Sequence, residues 1–506
     1  MSELDRLVNA CLLPGLSAGS APDWAHEGLR AGLAGFVLFP PQDDFPPERA
    51  GQDDFPSEQP GQGGPIAVST RALRSTAPDA LLAIDEEGGD VTRLEYGGGS
   101  SYPGALALGV VDDLAVTAQV AAAIAGDLRA AGINLNLAPS VDVNSDPDNP
   151  IIGVRSFGAN PGRVAAHGTA FIRALQDAGV AACAKHFPGH GATVTDSHRD
   201  VAVVDCDLET FHRRELAPFA AAVGAGVRTV MAAQVLFPAL DPVRPANLSR
   251  ALLHDLLRVE LGYQGVVIGT AIALLGPVPP EELTRTAIES LRAGADLLLL
   301  GAGDGERLCA QLRAGLTAAV RGGELDLATL ERAAGWVAAL RRSADPAASV
   351  GRGTAPDRSV GLAAARRAVR AEGEVTLSGP ATVVELRASG NSVVGEAHWG
   401  LAEPLAEFGR LAELIRADEN AGSAEQILAK AGANPLVLVV RDAYREPARR
   451  ALVADLLGAR PDAILVAVGM PDDLRLTRGP SIGTYGAGAV NLRAAAELLA
   501  GTGMGE

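Results

Sequence analysis

The chain has 506 residues, 47% of them hydrophobic, with 43 Lys and Arg against 61 Asp and Glu and a formal net charge of −18. That length predicts two or more domains, one of them of barrel size, about 250 residues or more. So acidic a chain suits neither nucleic acid nor an anionic membrane surface as a partner, because phosphate contacts need clustered Lys and Arg, and no run of about 18 or more apolar residues is present to span a bilayer. The opening MSELDRLVNACLLPGL has early acids and no basic leader, which argues against a secretory signal. Cys11, Cys183, Cys206 and Cys309 lie far apart and read as reduced thiols of a cytoplasmic protein.

In chain order, residues 25–39 open a first α/β unit, a helical HEGLRAGL leading through Gly35 into FVLF. An insertion at 41–64 follows, rich in Pro, Gly and acid and containing QDDFP twice; it cannot bury a core and reads as a surface loop. The apolar run 80–84 predicts a strand that delivers Asp85 and the glycines of DEEGGDVTRL to its carboxyl end, where backbone can approach a polyhydroxylated ligand closely. Arg93 offers a planar donor fork nearby in sequence; a turn with a surface ion pair is the alternative. A helix over 116–131 then leads into a strand in INLNLAP. Acids and amides crowd 142–149 in residue types that suit calcium, but the EF-hand spacing is absent and two prolines favour a structured loop.

After a helix over 161–178, the apolar run 180–184 reads as a buried parallel strand. It runs into KHFPGHGATVTDSH at 185–198, which holds three of the chain's 8 histidines. Loops at the carboxyl ends of such strands are where ligands bind in α/β sheets. Asp196 can accept from one ring nitrogen of His198, fixing the tautomer and leaving the other nitrogen for proton transfer. The same residues also read as a turn-capping Asp beside an exposed His. Metal is disfavoured, since the cysteines are scattered and no close His/carboxylate helix pair is present.

Further on come a helix over 211–223, a strand over 227–233 ending at Gln234, a helix over 252–261, and a strand in GYQGVVIG. No carboxylate occurs between Glu260 and Glu281. A helix, a turn at Gly294 and a strand ending at Leu300 complete the barrel pattern, with helices over 303–315 and 328–342. Residues 343–362, rich in Pro, Gly and small residues, read as a linker. In 363–506 a helix over 362–372 and strands at 381–386, 435–440 and 463–468, with helices between, argue for a smaller three-layer parallel domain. Its Asp442, Asp472 and Asp473 read as caps.

KHFPGHGATVTDSH, with DEEGG, IIGVRSFG and the ending PSIGTYGAGAVNLRAAAELLAG, resembles glycoside hydrolase family 3, the bacterial β-N-acetylglucosaminidase type in its two-domain form. The resemblance implies a (β/α)8 TIM barrel at 1–342, with the 41–64 insertion, followed by an αβα sandwich domain at 363–506. It implies a retaining β-N-acetylhexosaminidase acting on N-acetylglucosamine-containing glycans such as cell-wall fragments. His198 would be the general acid/base, oriented by Asp196, and Asp85, Arg93, Arg155, Lys185 and His186 would hold the sugar. It implies neither metal nor organic cofactor, and it leaves the oligomeric state open. The sequence departs from the family pattern at Asp90, usually basic, at Ala192 and Gln234, and above all at Thr270. GVVIGTAIAL puts Thr270 where the family carries its nucleophilic Asp. Altered or lost catalysis on a scaffold that still binds sugar is therefore the rival expectation.

Overall fold

The computed structural model describes residues 2–41, 64–195, 202–269, 279–344, 357–386, 400–417 and 423–502. The chain folds as two compact units: Met1–Glu86, Thr117–Val143 and Ala159–Pro356 make the first, and Glu87–Val116, Asn144–Gly158 and Asp357–Glu506 the second. Compactness thus assigns to the second unit two segments that the sequence reading leaves inside 1–342.

The first unit is a parallel barrel. Its strands are β1 (Leu12–Leu13), β2 (Gly15–Ser17), β3 (Gly35–Phe39), β4 (Leu81–Ile84), β5 (Leu135–Asn136), β6 (Ala181–Phe187), β7 (Thr229–Ala232), β8 (Val266–Gly269) and β9 (Leu297–Leu299). Each pairs in parallel with the next from β2 round to β9, and β9 pairs with β1. Pro14 lacks an N–H for the ladder and divides β1 from β2, so these two occupy one position and the barrel closes on eight. Alternation sets the two faces. Leu81 and Ala83, Ala181 and Cys183, Val266 and Ile268, Leu297 and Leu299 share one buried cluster, packed against Val337 and Leu340 of the helix Leu327–Ser343. Among the described residues no helix is long and apolar enough to cross a membrane.

Close strand approach makes one glycine decisive. A Cβ at Gly35 would lie 1.8 Å from the Leu81 carbonyl oxygen across the β3–β4 pairing. Gly35→Ala is therefore expected to cost about 3 kcal/mol, an overpacking penalty against backbone that cannot yield. Urea unfolding followed by tryptophan fluorescence, to which Trp24 contributes from 5.5 Å beside Phe36, checks this.

The second unit is a three-layer αβα sandwich. Its six-stranded sheet comprises β10 (Arg370–Glu372), β11 (Ala381–Leu386), β12 (Leu411–Ala417), β13 (Leu436–Val440), β14 (Ile464–Ala467) and β15 (Ser481–Gly483), in the spatial order β10-β15-β14-β13-β11-β12. All neighbours are parallel except β10 and β15. Alternate residues feed two cores. Val383, Val437 and Val466 pack with Leu492 and Leu499 of the helix Ala489–Ala500, while Val384, Leu438 and Leu465 pack with Ile427, Val453 and Leu456 on the other face.

Two sequence expectations are corrected here. The helix expected over 362–372 is Ser359–Ala368, and the chain then turns into edge strand β10. Edge strand β12 was not anticipated, because LAELIRA is built of helix-favouring residues and most of its side chains stay partly or fully exposed.

Candidate functional site

Strand β6 carries the chemistry further than its apolar run indicates, for it continues through Lys185 and His186 to Phe187. Against β7 its register slips: Lys185 pairs with Met231 and Phe187 with Ala232, leaving His186 as an extra residue between them. Such a bulge frees a backbone N–H from the ladder and re-aims a side chain. The N–H of His186 turns to the Asp142 carboxylate, 3.2 Å from Oδ1.

Asp142 is the hub of the site. It is fully buried, and its Oδ2 accepts from His186 Nδ1 at 2.7 Å and from the Ser140 hydroxyl at 2.9 Å. Its Oδ1 accepts the backbone N–H of His190 at 2.8 Å. Burial alone would raise this carboxyl, but the His186 charge and hydrogen bonds, with His190 behind them, hold it down at about 2. Asp142 is thus a carboxylate, and its bond to Nδ1–H fixes the His186 tautomer. His190 is oriented in turn by Thr193, 2.8 Å from its Nδ1.

Lys185, also buried, reaches across to β4 and places Nζ 2.7 Å from Asp85 Oδ1. Asp85 is held there by its neighbour: the Asn136 side chain accepts from the Glu86 N–H at 3.0 Å and donates to the Glu86 carbonyl at 2.8 Å. An amide at the end of two-residue β5 thereby extends the ladder to the segment after β4. Asp85, Asp142, Lys185 and His186 form one array at the carboxyl ends of β4, β5 and β6, the face on which barrels of this kind carry their chemistry.

Of the residues expected at the site, Asp85, Lys185 and His186 are brought together in the first unit. Arg93 and Arg155 belong to the second. There Arg155 makes a buried bidentate pair with Glu87, Nε to Oε2 at 3.0 Å and Nη2 to Oε1 at 2.8 Å, and its Nη1 donates to the Ile151 carbonyl. Asp196, His198 and Thr270 lie outside the described residues. Asp90 is matched within its own unit, ion-paired with Arg441 at 2.5 Å and accepting the Ala487 N–H at 2.7 Å. Sequence reasoning missed Asp142 as a site residue because it stands in a run of acids and amides. Its position six residues after β5, at a strand's carboxyl end, was the available signal.

Residues 66–340 match the Glycosyl hydrolase family 3 N terminal domain. A Beta-hexosaminidase A of Pseudoalteromonas piscicida is 39% identical over 253 residues, covering 46% of this chain and 42% of that protein. A Beta-hexosaminidase of Nitrosomonas eutropha is 33% identical over 241 residues, covering 46% of this chain and 68% of that protein. The chain thus spans under half the length of the first and about two thirds of the second. The structure of a glycoside hydrolase family 3 beta-N-acetylglucosaminidase from Paenibacillus sp. strain FPU-7 superposes with a TM-score of 0.84 at 31% identity, covering 99% of this chain and 97% of that one.

Proposed function

The chain belongs to glycoside hydrolase family 3, and from that premise we propose that it binds N-acetylglucosamine-containing glycans at the barrel's carboxyl face and hydrolyses them slowly, as a β-N-acetylhexosaminidase. The observation that carries this reading is the paired array of Asp85 with Lys185 and Asp142 with His186. Two charge-assisted pairs, each with one buried and one partly exposed partner, offer fixed donors and acceptors to sugar hydroxyls, which is how a polar ligand is oriented with little reorganisation. His198, oriented by Asp196, serves as acid/base toward the glycosidic oxygen. Cell-wall or chitin-derived fragments in the cytoplasm fit a chain whose four cysteines are free thiols, three of them buried.

Slow turnover follows from Thr270. Double displacement needs a second carboxylate about 5 to 5.5 Å from the acid/base to form the glycosyl-enzyme, and a hydroxyl without a base is a weak nucleophile with no charge for an oxocarbenium-like transition state. The same residue favours a second reading, a sugar-binding or regulatory protein without hydrolysis.

Calorimetric titration with N-acetylglucosamine and turnover of an aryl β-N-acetylglucosaminide test both. Binding by wild type, weakened about ten- to thirty-fold in Lys185→Met as one charge-assisted contact is lost, is expected; absence of binding by wild type overturns the site. Turnover that His198→Ala abolishes upholds slow hydrolysis. Binding without turnover upholds the second reading.

A further inference from the structure

Behind the His186–His190 turn stands a carboxyl group with no part in the array described above. Glu215 lies on the π-helical turn Phe211–Leu216 and is 1% exposed. Its Oε1 accepts from Arg214 Nε at 2.5 Å, whereas Oε2 is buried with no hydrogen-bond partner among the described residues. The space it fills belongs to the turn: a Cβ added at Gly189 would meet Glu215 Oε2 at 2.4 Å and Glu215 Cβ at 3.1 Å. Gly189 in turn donates its N–H to the His186 carbonyl at 2.8 Å. Asp142 ties the ends of the same turn through the N–H groups of His186 and His190.

We infer that Glu215 is a positioning residue for this turn, its carboxyl packing on Gly189 and, through the charge it shares the site with on Asp142, setting the protonation of His186. The half that concerns sugar affinity rests on the reading of this turn as the sugar site; the half that concerns His186 does not.

Among the described residues, these charges bear on Glu215. Arg214 comes from its own helical turn, Asp142 from the loop after β5, and the Cys206 thiol from the segment preceding the helix; His186 and His190 act through Asp142. Burial first, and then the Asp142 carboxylate, push Glu215 up to about 7, with Arg214 opposing. Below that range Glu215 is neutral and Asp142 is the anion bonded to His186. Above it a second negative charge stands on the far side of the turn and favours the imidazolium, so the two groups titrate as a coupled pair. Because the folded carboxyl holds its proton above the ordinary value of 4.5, the folded state is penalised progressively as pH rises from 4.5 to about 7. Glu215→Gln escapes that penalty.

The test uses the full chain. Imidazole resonances of ligand-free wild type, Glu215→Gln and Arg214→Met are followed by NMR across pH 5 to 9, with His186→Gln for assignment. Calorimetric titration of N-acetylglucosamine covers the same range. Expected are a His186 midpoint lower by about half a pH unit or more in Glu215→Gln, and an inflection in wild-type sugar affinity near neutral pH that the variant lacks. In Arg214→Met, which removes the partly exposed cation that opposes the Glu215 shift, that inflection moves to higher pH. Superimposable His186 curves in all three proteins overturn the inference. A His186 shift with no sugar binding by any of them upholds the Glu215 coupling and overturns the sugar-site reading instead.

Discussion

Thr270→Asp is expected to raise turnover of an aryl β-N-acetylglucosaminide by about a thousand-fold or more over wild type, the reverse of what removal of a nucleophilic carboxylate costs. No carboxylate lies between Glu260 and Glu281, so nothing nearby in the chain stands in for the missing group. Gly269, the last residue of β8, pairs with Leu298 of β9, and Val266 to Ile268 pair with β7. The register of β8 is therefore fixed on both sides up to Gly269, its last residue. An Asp at 270 provides what Thr cannot, a charge facing the oxocarbenium-like transition state and an atom that bonds to the anomeric carbon. The gain should vanish in Thr270→Asp, His198→Ala, since attack without leaving-group protonation is slow. Unchanged turnover in Thr270→Asp, with N-acetylglucosamine still bound, would show that the barrel has lost more than one group.

How much of this could be read from residues alone differs from element to element. Barrel strands β3 to β9 were legible because buried parallel strands are continuous apolar runs, as in Leu81–Ile84 and Val266–Gly269, whereas β1 and β2, two and three residues long around Pro14, were not; the turn after β6 was legible from Pro188, Gly189 and Gly191. The bulge at His186 was not, since a one-residue slip against β7 depends on the partner strand. Asp142 was visible as one acid among several. What singles it out is the convergence of His186 and His190 on its two oxygens, a contact 44 residues away in the chain for one and 48 for the other. Glu215 looked like one more charged residue on a helix, and only Gly189 packed against it shows that the side chain is buried. In the second unit, β13 and β14 announced themselves as LVLVV and ILVA, whereas half-exposed LAELIRA hid β12. The assignment of Glu87–Val116 and Asn144–Gly158 to that unit is a property of compactness across hundreds of residues, which local pattern does not encode.

Replacing Asp142 is the change in the described site with the largest expected effect on the fold itself. Asp142→Ala strips partners from two backbone N–H groups, a serine hydroxyl and an imidazole N–H at once. Removing one member of such a buried, hydrogen-bonded set costs about 3 to 5 kcal/mol, enough to lower the urea midpoint sharply and to release the His186–His190 turn. Asp142→Asn is the sharper probe. The amide oxygen can still accept, but its NH2 cannot accept from His186 Nδ1–H, so the imidazole must change tautomer or turn away. Sugar affinity should then fall about ten-fold or more while most of the stability remains. The pH dependence gives an independent check. A carboxyl held at about 2 against an ordinary 3.8 contributes stability that is present above 3.8 and is lost as pH falls toward 2. Wild type should therefore lose its advantage over Asp142→Asn in that acid window, and between 4.5 and about 7 the advantage narrows only by the part of the Glu215 shift that the Asp142 carboxylate causes. An advantage unchanged between pH 4 and pH 2 would show that the Asp142 carboxylate does not hold the turn, and would unseat it as the anchor.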